Sequence, residues 1–414
     1  MGAEAFIVLS CPRLVAQRYG GFILGVMLGL GPARMWSQAA PAVETPNGAS
    51  QAARNAAGDS PDDPGPLATG LSPALTPAAI HTAMRKVADW QLKVGEPRFT
   101  QLWTYAPLYD GLLAASRSTG DPKYHDAVLR MAERFQWQLI DNRFPHADDE
   151  AIGRPYLELY QEHAAPERIA SVRMVMDKLV TRPDDPAKNL WWWCDALFMA
   201  PPVMARLSQV TGDRKYLDAM DRQYWITTKT LFDPEEKLFF RDDRYFTRHE
   251  ANGRKIFWAR GNGWVMAGLA AILDVMPADY PTRAKYVDLF KTMAARVLAL
   301  QSRDGLWRSG LLDPDAYDQP EISGSAFFTF GMAWGINHGV LDRATYLPAA
   351  TAAWHGMLQH VYADGRLGSI QPIDAAPGAV KASSSYVYGV GAFLLAGSEL
   401  AAMKAPHGGR TKAK

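Results

Sequence analysis

The sequence predicts an all-α protein, a closed ring of six helical hairpins of the kind called an (α/α)6 barrel. Three observations predict it. From about residue 76 to residue 404, apolar residues recur at helical spacing in one segment after another. Strand-like alternation is scarce over the same span; LFFRDDRYF at 238–246 is the best candidate for a short hairpin within a loop. A linker also repeats: TGDPKY at 119–124 returns as TGDRKY at 211–216, with a weaker copy in LDRATYLP at 341–348. In the first two copies Gly ends one helix as a C-cap and Asp caps the next, which is how short links join antiparallel helices.

Taken in chain order, the helical segments are HTAMRKVADWQLKV (81–94), PLYDGLLAASRST (107–119), HDAVLRMAERFQWQLI (125–140), RPYLELYQEH (154–163) and ERIASVRMVMDKLV (167–180). CDALFMAPPVMARLSQV (194–210) follows, with Pro201-Pro202 inside it. Proline lacks the backbone donor and clashes with the preceding turn, so this segment is expected to kink or to end early. Then come KYLDAMDRQYWITTKTLF (215–232), GWVMAGLAAILDVM (263–276), AKYVDLFKTMAARVLALQS (284–302), SGSAFFTFGMAWGINHGV (323–340), LPAATAAWHGMLQHV (347–361) and SSYVYGVGAFLLAGSEL (384–400). Asp-Gly at 304–305 and 364–365 marks turns. Twelve segments make six hairpins, the number an (α/α)6 barrel requires. A scaffold of stacked helical repeats has the same period class and is the alternative.

The ends of the chain read differently. Arg13 and Arg18 precede the apolar run Phe22–Leu30, and small residues follow in SQAAPA at 37–42. A charged region, a short apolar run and a small-residue site make a secretion signal over residues 1–40, and the run is too short to span a bilayer comfortably. The mature chain is therefore expected outside the cytoplasm, periplasmic or extracellular, with no membrane attachment. Residues 41–75, rich in Ala, Pro, Gly, Asp and Ser, read as a flexible linker; 76–404 as the barrel; 405–414 as a disordered tail. Cys11 would leave with the signal and Cys194 would remain alone, so no internal disulfide is expected; with no His near it in sequence, Cys194 reads as a small buried apolar residue.

Composition narrows the function. The chain is 48% hydrophobic and 21% charged, enough apolar material for a large core, and its net charge of +1 carries no basic block for nucleic acid. Histidines are scattered and there is no HExxH, CxxC pair, GxSxG elbow or Walker loop, so neither a metal nor another cofactor is expected. The 13 Trp, 16 Tyr and 16 Phe fit a neutral or weakly charged ligand, since flat apolar rings stack on sugar faces, although most will fill the core.

Four clusters, all where a loop meets a helix, could carry chemistry. HADDEAIGR (146–154) sets Asp148 and Asp149 before a helix; a cap needs one acid, and two are more than capping explains. WWWCDALFMAPP (191–202) places Asp195 behind three tryptophans, Trp192 among them. Capping again explains the acid but not the tryptophans. An apolar wall disfavours the charged carboxylate and raises its pKa, which suits a general acid near neutral pH. FWARGNGWVMAG (257–268) flanks Arg260 with Trp258 and Trp264. That Arg either presents its fork to a carboxylate or makes a structural ion pair. LFFRDDRYF carries Arg241 in a charge run that would ordinarily be solvated, and WTYAPLYDGL (103–112) brings Trp103 and Tyr105, which could line the same mouth.

WWWCDALFMAPP and FWARGNGW together resemble the unsaturated rhamnogalacturonyl hydrolases, glycoside hydrolase family 105, related to the unsaturated glucuronyl hydrolases of family 88. The resemblance covers roughly residues 80–400 and implies the same (α/α)6 fold. It implies removal of a Δ4,5-unsaturated galacturonyl residue from the non-reducing end of lyase-cut rhamnogalacturonan, by hydration of the C4=C5 bond. Residue by residue, Asp195 matches the general acid/base and Asp148 the second active-site aspartate, with Asp149 as the fallback. Arg260, Trp258 and Trp264 match substrate-binding positions. Where some members have histidines, this chain has Asp184 or its neighbours and Arg241, which leaves the aglycone preference open. An unsaturated glucuronyl substrate, an ordinary inverting glycosidase and a non-catalytic sugar-binding scaffold are the alternatives. A monomer acting on oligosaccharide is expected.

Overall fold

Alternating helices wind into two concentric rings. The computed structural model describes residues 57–185 and 189–403. The expected secretion signal, the linker up to residue 56 and the tail lie outside the described residues. Among the described residues the outer ring is α1 (Pro77–Gly95), α3 (Pro122–Arg134), α6 (Pro166–Thr181), α9 (Lys215–Leu231), α11 (Arg283–Ala299) and α13 (Arg343–Leu358). The inner ring is α2 (Ala106–Thr119), α4 (Ala147–Glu150) continued by α5 (Gly153–Glu162), α7 (Ala196–Met199) continued by α8 (Pro201–Thr211), α10 (Ala259–Val275), α12 (Ile322–Asn337) and α14 (Val387–Ala401). Each inner helix packs on the next, and α14 packs back on α2, so the ring closes.

Burial follows from the pattern. Every residue of α12 from Ile322 to Ile336 is buried, whereas outer α3 buries one stripe, Tyr124, Ala127, Val128, Met131 and Ala132. Closure demands close backbone approach: a methyl on Gly111 of α2 would stand 2.5 Å from the Gly391 carbonyl oxygen of α14.

The repeated linker does what its residues predict. Gly120 and Gly212 take φ of +70°, the left-handed cap conformation. Asp121 accepts from the Lys123 amide at 3.2 Å and Asp213 from the Lys215 amide at 3.1 Å. The aromatic then ties one outer helix to the outer helix before it: Tyr124 donates to Asp89 and Tyr216 to Asp177, each at 2.7 Å. The weaker copy keeps only the cap, Asp342 accepting from Thr345 N at 2.8 Å.

Three expectations need correction, and one is met. The helix expected over 125–140 stops at Arg134, because Gln136 and Trp137 adopt φ of 51° and 58°. The segment 194–210 does break at its prolines as expected, into two helices parted at Ala200 by Pro201-Pro202. The hairpin expected over 238–246 is a two-residue pairing, β2 (Phe232–Asp233) with β3 (Leu238–Phe239), followed by a 3-10 turn at Asp243–Tyr245 that Asp242 caps. The described part of the expected linker, 57–75, is a strap rather than free chain. Its β1 (Gly58–Asp59) pairs with β4 (Ser385–Tyr386), Leu67 bridges Tyr362, and Ala363 N donates to the Pro66 carbonyl at 2.8 Å. Composition could not reveal this, because its hydrogen-bond partners lie some three hundred residues away. No helix among the described residues is long and apolar enough to cross a membrane.

Candidate active site

All six inner helices run the same way, so the loops that precede them gather at one end of the barrel. Of these helices α2, α7, α10 and α14 begin without a side-chain cap, while the Glu321 carboxylate caps α12 through Ser323 N and Gly324 N. Converging helix N-termini favour an anionic ligand at this mouth.

Asp195 is the residue on which α7 starts, yet its side chain makes no capping hydrogen bond. The carboxylate is therefore not spent on capping. It is buried, 7% exposed, and burial raises its pKa against the opposing charges of Arg241 and Arg260. Of the tryptophans before it, Trp191 is fully buried, Trp193 packs on His146 at 4.6 Å between rings, and Trp192 remains 36% exposed. Cys194 is buried, and its Sγ lies 3.5 Å from Asp195 Oδ2.

The adjacent acids Asp148 and Asp149 go to different partners. Asp149 is held by Arg143, through the backbone amide at 3.1 Å and the guanidinium Nε at 2.9 Å. Asp148 has only distant neighbours, His146 Nδ1 at 3.7 Å and Arg143 Nη1 at 3.9 Å. Burial pushes it up to about 7; Arg143 opposes this, and the charges of Asp195 and Asp149 add to it. Asp148 thus feels the charge of Asp195, whereas Asp149, the substrate-contact candidate, is occupied by Arg143. His146 caps α4 by accepting from Asp148 N through Nδ1 at 3.3 Å, and burial lowers its pKa to about 4, so it stays neutral.

Arg241 is not part of a solvated charge run. Its Nε lies 3.6 Å from Asp195 Oδ2, its Nη1 is 2.6 Å from Asp242 Oδ2, and its guanidinium sits over the Trp192 ring at 5.4 Å. Asp242 is fully buried and also accepts from Arg244 Nε and Nη2, each at 2.8 Å. The Arg241 carbonyl accepts from Cys194 N at 2.8 Å, which pins this loop to the start of α7.

Other candidates are placed differently. Arg260 is fully buried between Trp258 and Tyr388, at 4.4 and 4.8 Å, and donates to the carbonyls of Gln371 and Pro372. Its fork braces a loop instead of facing the mouth. Trp258 is buried and donates to Gln371 Oε1 at 2.7 Å. Trp264 is fully buried against Phe327 and Phe198, at 4.4 and 4.8 Å between rings. Trp103, half-buried, stacks on Tyr388. Tyr105 belongs to the core beside Phe99 and Tyr109 and does not line the mouth.

A groove of about 960 Å³ borders the loops that carry the two acids, lined not by the acids themselves but by Arg143, His146, Trp192, Trp193, Asp184 and Gln223 among others. Asp184, flagged from sequence, is held there by Arg222 and Gln223 at 3.1 and 2.5 Å. Sequence reading passed over His146, Arg143 and Asp242, although the first stands inside the HADDE cluster and the last beside Arg241. Among the described residues no group of three or more His, Cys, Asp or Glu is arranged to hold a metal ion. A buried, protonatable pair beside a guanidinium and an exposed tryptophan can bind a sugar acid and pass a proton to it.

The family model described as Glycosyl Hydrolase Family 88 matches residues 76–404. The chain is 41% identical over 347 residues to an unsaturated 3S-rhamnoglycuronyl hydrolase of Formosa agariphila, covering 79% of this chain and 91% of that protein. It is 37% identical to a protein of the same name from Alteromonas sp. (strain LOR), covering 72% and 77%. Among solved structures, a glycosyl hydrolase family 88 protein from Bacteroides vulgatus superposes with a TM-score of 0.74 at 30% identity, covering 78% of this chain and 98% of that one.

Proposed function

The chain belongs to Glycosyl Hydrolase Family 88, and on that premise we propose that Asp195 and Asp148 carry a hydration reaction releasing an unsaturated uronic acid from lyase-cut oligosaccharides. The protein is a glycoside hydrolase. The names of its relatives support a rhamnose-containing substrate. The galacturonyl reading and the glucuronyl alternative meet at the non-reducing residue. Once C4 and C5 are trigonal, the C4 configuration that separates the two parent acids is gone. What still separates such substrates is the glycosidic linkage and the aglycone.

The observation that carries the reading is the coupling of two buried acids, one of them beside Arg241. The substrate is an enol ether conjugated to a carboxylate. Protonated Asp195 gives its proton to C4, leaving an oxocarbenium across C5 and the ring oxygen. Water adds at C5, and its proton returns to the Asp195 carboxylate. The C5 hemiketal opens to a ketone, C1 is left as a hemiacetal, and this expels the aglycone alcohol. One water is consumed and no glycosyl–enzyme bond is needed, so the nucleophile–acid pair of ordinary glycosidases is not required. Asp148, pushed up to about 7 by burial with the Asp195 charge adding to it, holds the substrate beside Asp195. Trp192 offers its exposed ring to the aglycone. The Arg13–Leu30 pattern supports export to the periplasm or medium.

The test is to incubate the protein with an unsaturated uronyl-rhamnose disaccharide and follow the ultraviolet absorbance of the conjugated double bond. Falling absorbance with release of rhamnose, abolished in Asp195→Asn, is expected. Turnover of the saturated glycoside, or unchanged absorbance with every unsaturated uronyl disaccharide tried, would overturn the reading.

A further inference from the structure

The end of the barrel away from the mouth holds a second pocket, of about 370 Å³, walled by residues from all six inner helices. Asp110 stands deep in it, 2% exposed, with Arg154 Nη1 at 3.3 Å from its Oδ2. That approach is an ion pair without a hydrogen bond. Neither Asp110 oxygen has a hydrogen-bond partner, nor does Arg154 Nη1, nor the indole Nε1 of Trp334, which is 2% exposed. Two buried acceptors and two donors therefore line one pocket unsatisfied, where nearly all such groups in folded proteins are paired. Phe330 and Trp334 give it an apolar side.

Its other charged groups already have partners. Arg117 pairs with Glu158, and Arg206 with Asp274 at 3.3 Å. Glu162 pairs with His125 at 2.7 Å, and Glu399 accepts from Asn337 Nδ2 at 2.7 Å. An anion entering the pocket meets Asp110, and a cation meets Arg154. A hydroxyl group both donates and accepts, so adjacent hydroxyls on one small molecule can satisfy both partners at once.

We propose that this pocket binds a small, neutral, polyhydroxylated molecule of monosaccharide size, bridging Asp110 and Arg154 against Phe330 and Trp334. The volume is at the small end of ligand pockets. The site is separate from the Asp195 mouth and does not depend on the reaction proposed there. Arg154 nevertheless lies over the ring of Phe198, at 5.6 Å, three residues after Asp195, so occupancy at one end borders the helix that carries the acid at the other.

Saturation-transfer NMR on the whole protein, with D-xylose, D-glucose and L-rhamnose as probes, tests the proposal. At least one probe is expected to bind. Its affinity should fall at least tenfold in Asp110→Asn, which keeps shape but loses the charge. It should fall similarly in Ala114→Leu, which fills the pocket without touching a polar group. Trp192→Ala, at the mouth, should leave it unchanged. Thermal melting shows which variants are folded, and if Asp110→Asn is not, Ala114→Leu decides. No binding of any probe to the wild-type chain overturns the proposal. So does binding that is lost in Trp192→Ala and kept in the pocket variants.

Discussion

Arg241 stands between two acids, with Nε 3.6 Å from the Asp195 carboxylate and Nη1 2.6 Å from that of Asp242. Burial raises the Asp195 pKa, and Arg241 is the largest opposing charge. In the proposed reaction Asp195 enters protonated, so rate is lost as pH rises through its pKa. Removing the guanidinium leaves burial less opposed. Arg241→Gln is therefore expected to move the alkaline limb of kcat/KM to higher pH, and Arg241→Lys to move it less. A limb that stays in place or moves down would show that the contact does not set the acid.

Asp148 and Asp149 should part company under substitution. Asp195→Asn and Asp148→Asn are each expected to lower kcat by about 10²–10⁴-fold while the fold persists. Asp149→Asn instead breaks a part-buried pair with Arg143, whose side chain is 34% exposed. It should cost about 1–2 kcal/mol of stability, and the folded fraction should keep kcat within a few-fold. Urea unfolding beside steady-state kinetics separates the two outcomes. The reverse pattern would put Asp149 at the reacting atoms.

Glu150 is buried and neither carboxyl oxygen has a hydrogen-bond partner. Burial, then the charges of Asp149, Asp141 and Asp148, push its pKa from 4.5 up to about 8. Between those values the folded chain holds a proton that the unfolded chain has lost. The stability tied to this group is therefore full below 4.5 and declines as pH rises through about 8. Glu150→Gln removes the titration. Relative to wild type, the variant should gain on the order of a few kcal/mol as pH rises across this window, read as a melting temperature that falls less steeply with pH. Parallel melting curves would mean that Glu150 is already paired.

Trp192 is one of the few large apolar side chains left exposed, and it lines the groove that borders the loops of the two acids. Its loss should weaken substrate binding without altering proton transfer. Trp192→Ala is expected to raise KM about tenfold, equivalent to about 1.4 kcal/mol, with kcat changed by less than threefold. A fall in kcat at unchanged KM would instead tie the ring to Arg241, which lies over it.

Much of this architecture is written locally. Asp121 and Asp213 cap, Gly120 and Gly212 terminate, and Pro201-Pro202 divides a helix, each acting on neighbours a few residues away. Asp195 was legible too, since three tryptophans beside one acid already imply an unusual environment. Arg260 shows where such reading stops. An arginine flanked by tryptophans presents the same local signal whether its fork meets a ligand or, as here, the carbonyls of Gln371 and Pro372, more than a hundred residues on.

By itself the sequence determined the helices, their order, the closed ring they imply and an acid set against tryptophans, because periodicity, capping and chain connectivity act over short distances. Only the tertiary structure decided that Arg143 takes Asp149 and leaves Asp148 to Asp195, that Asp242 steers Arg241 onto the acid, and that residues 57–75 strap the barrel. Those outcomes depend on which groups are buried together. Desolvation and pairing are properties of neighbours in space, and only the closed ring makes those residues neighbours.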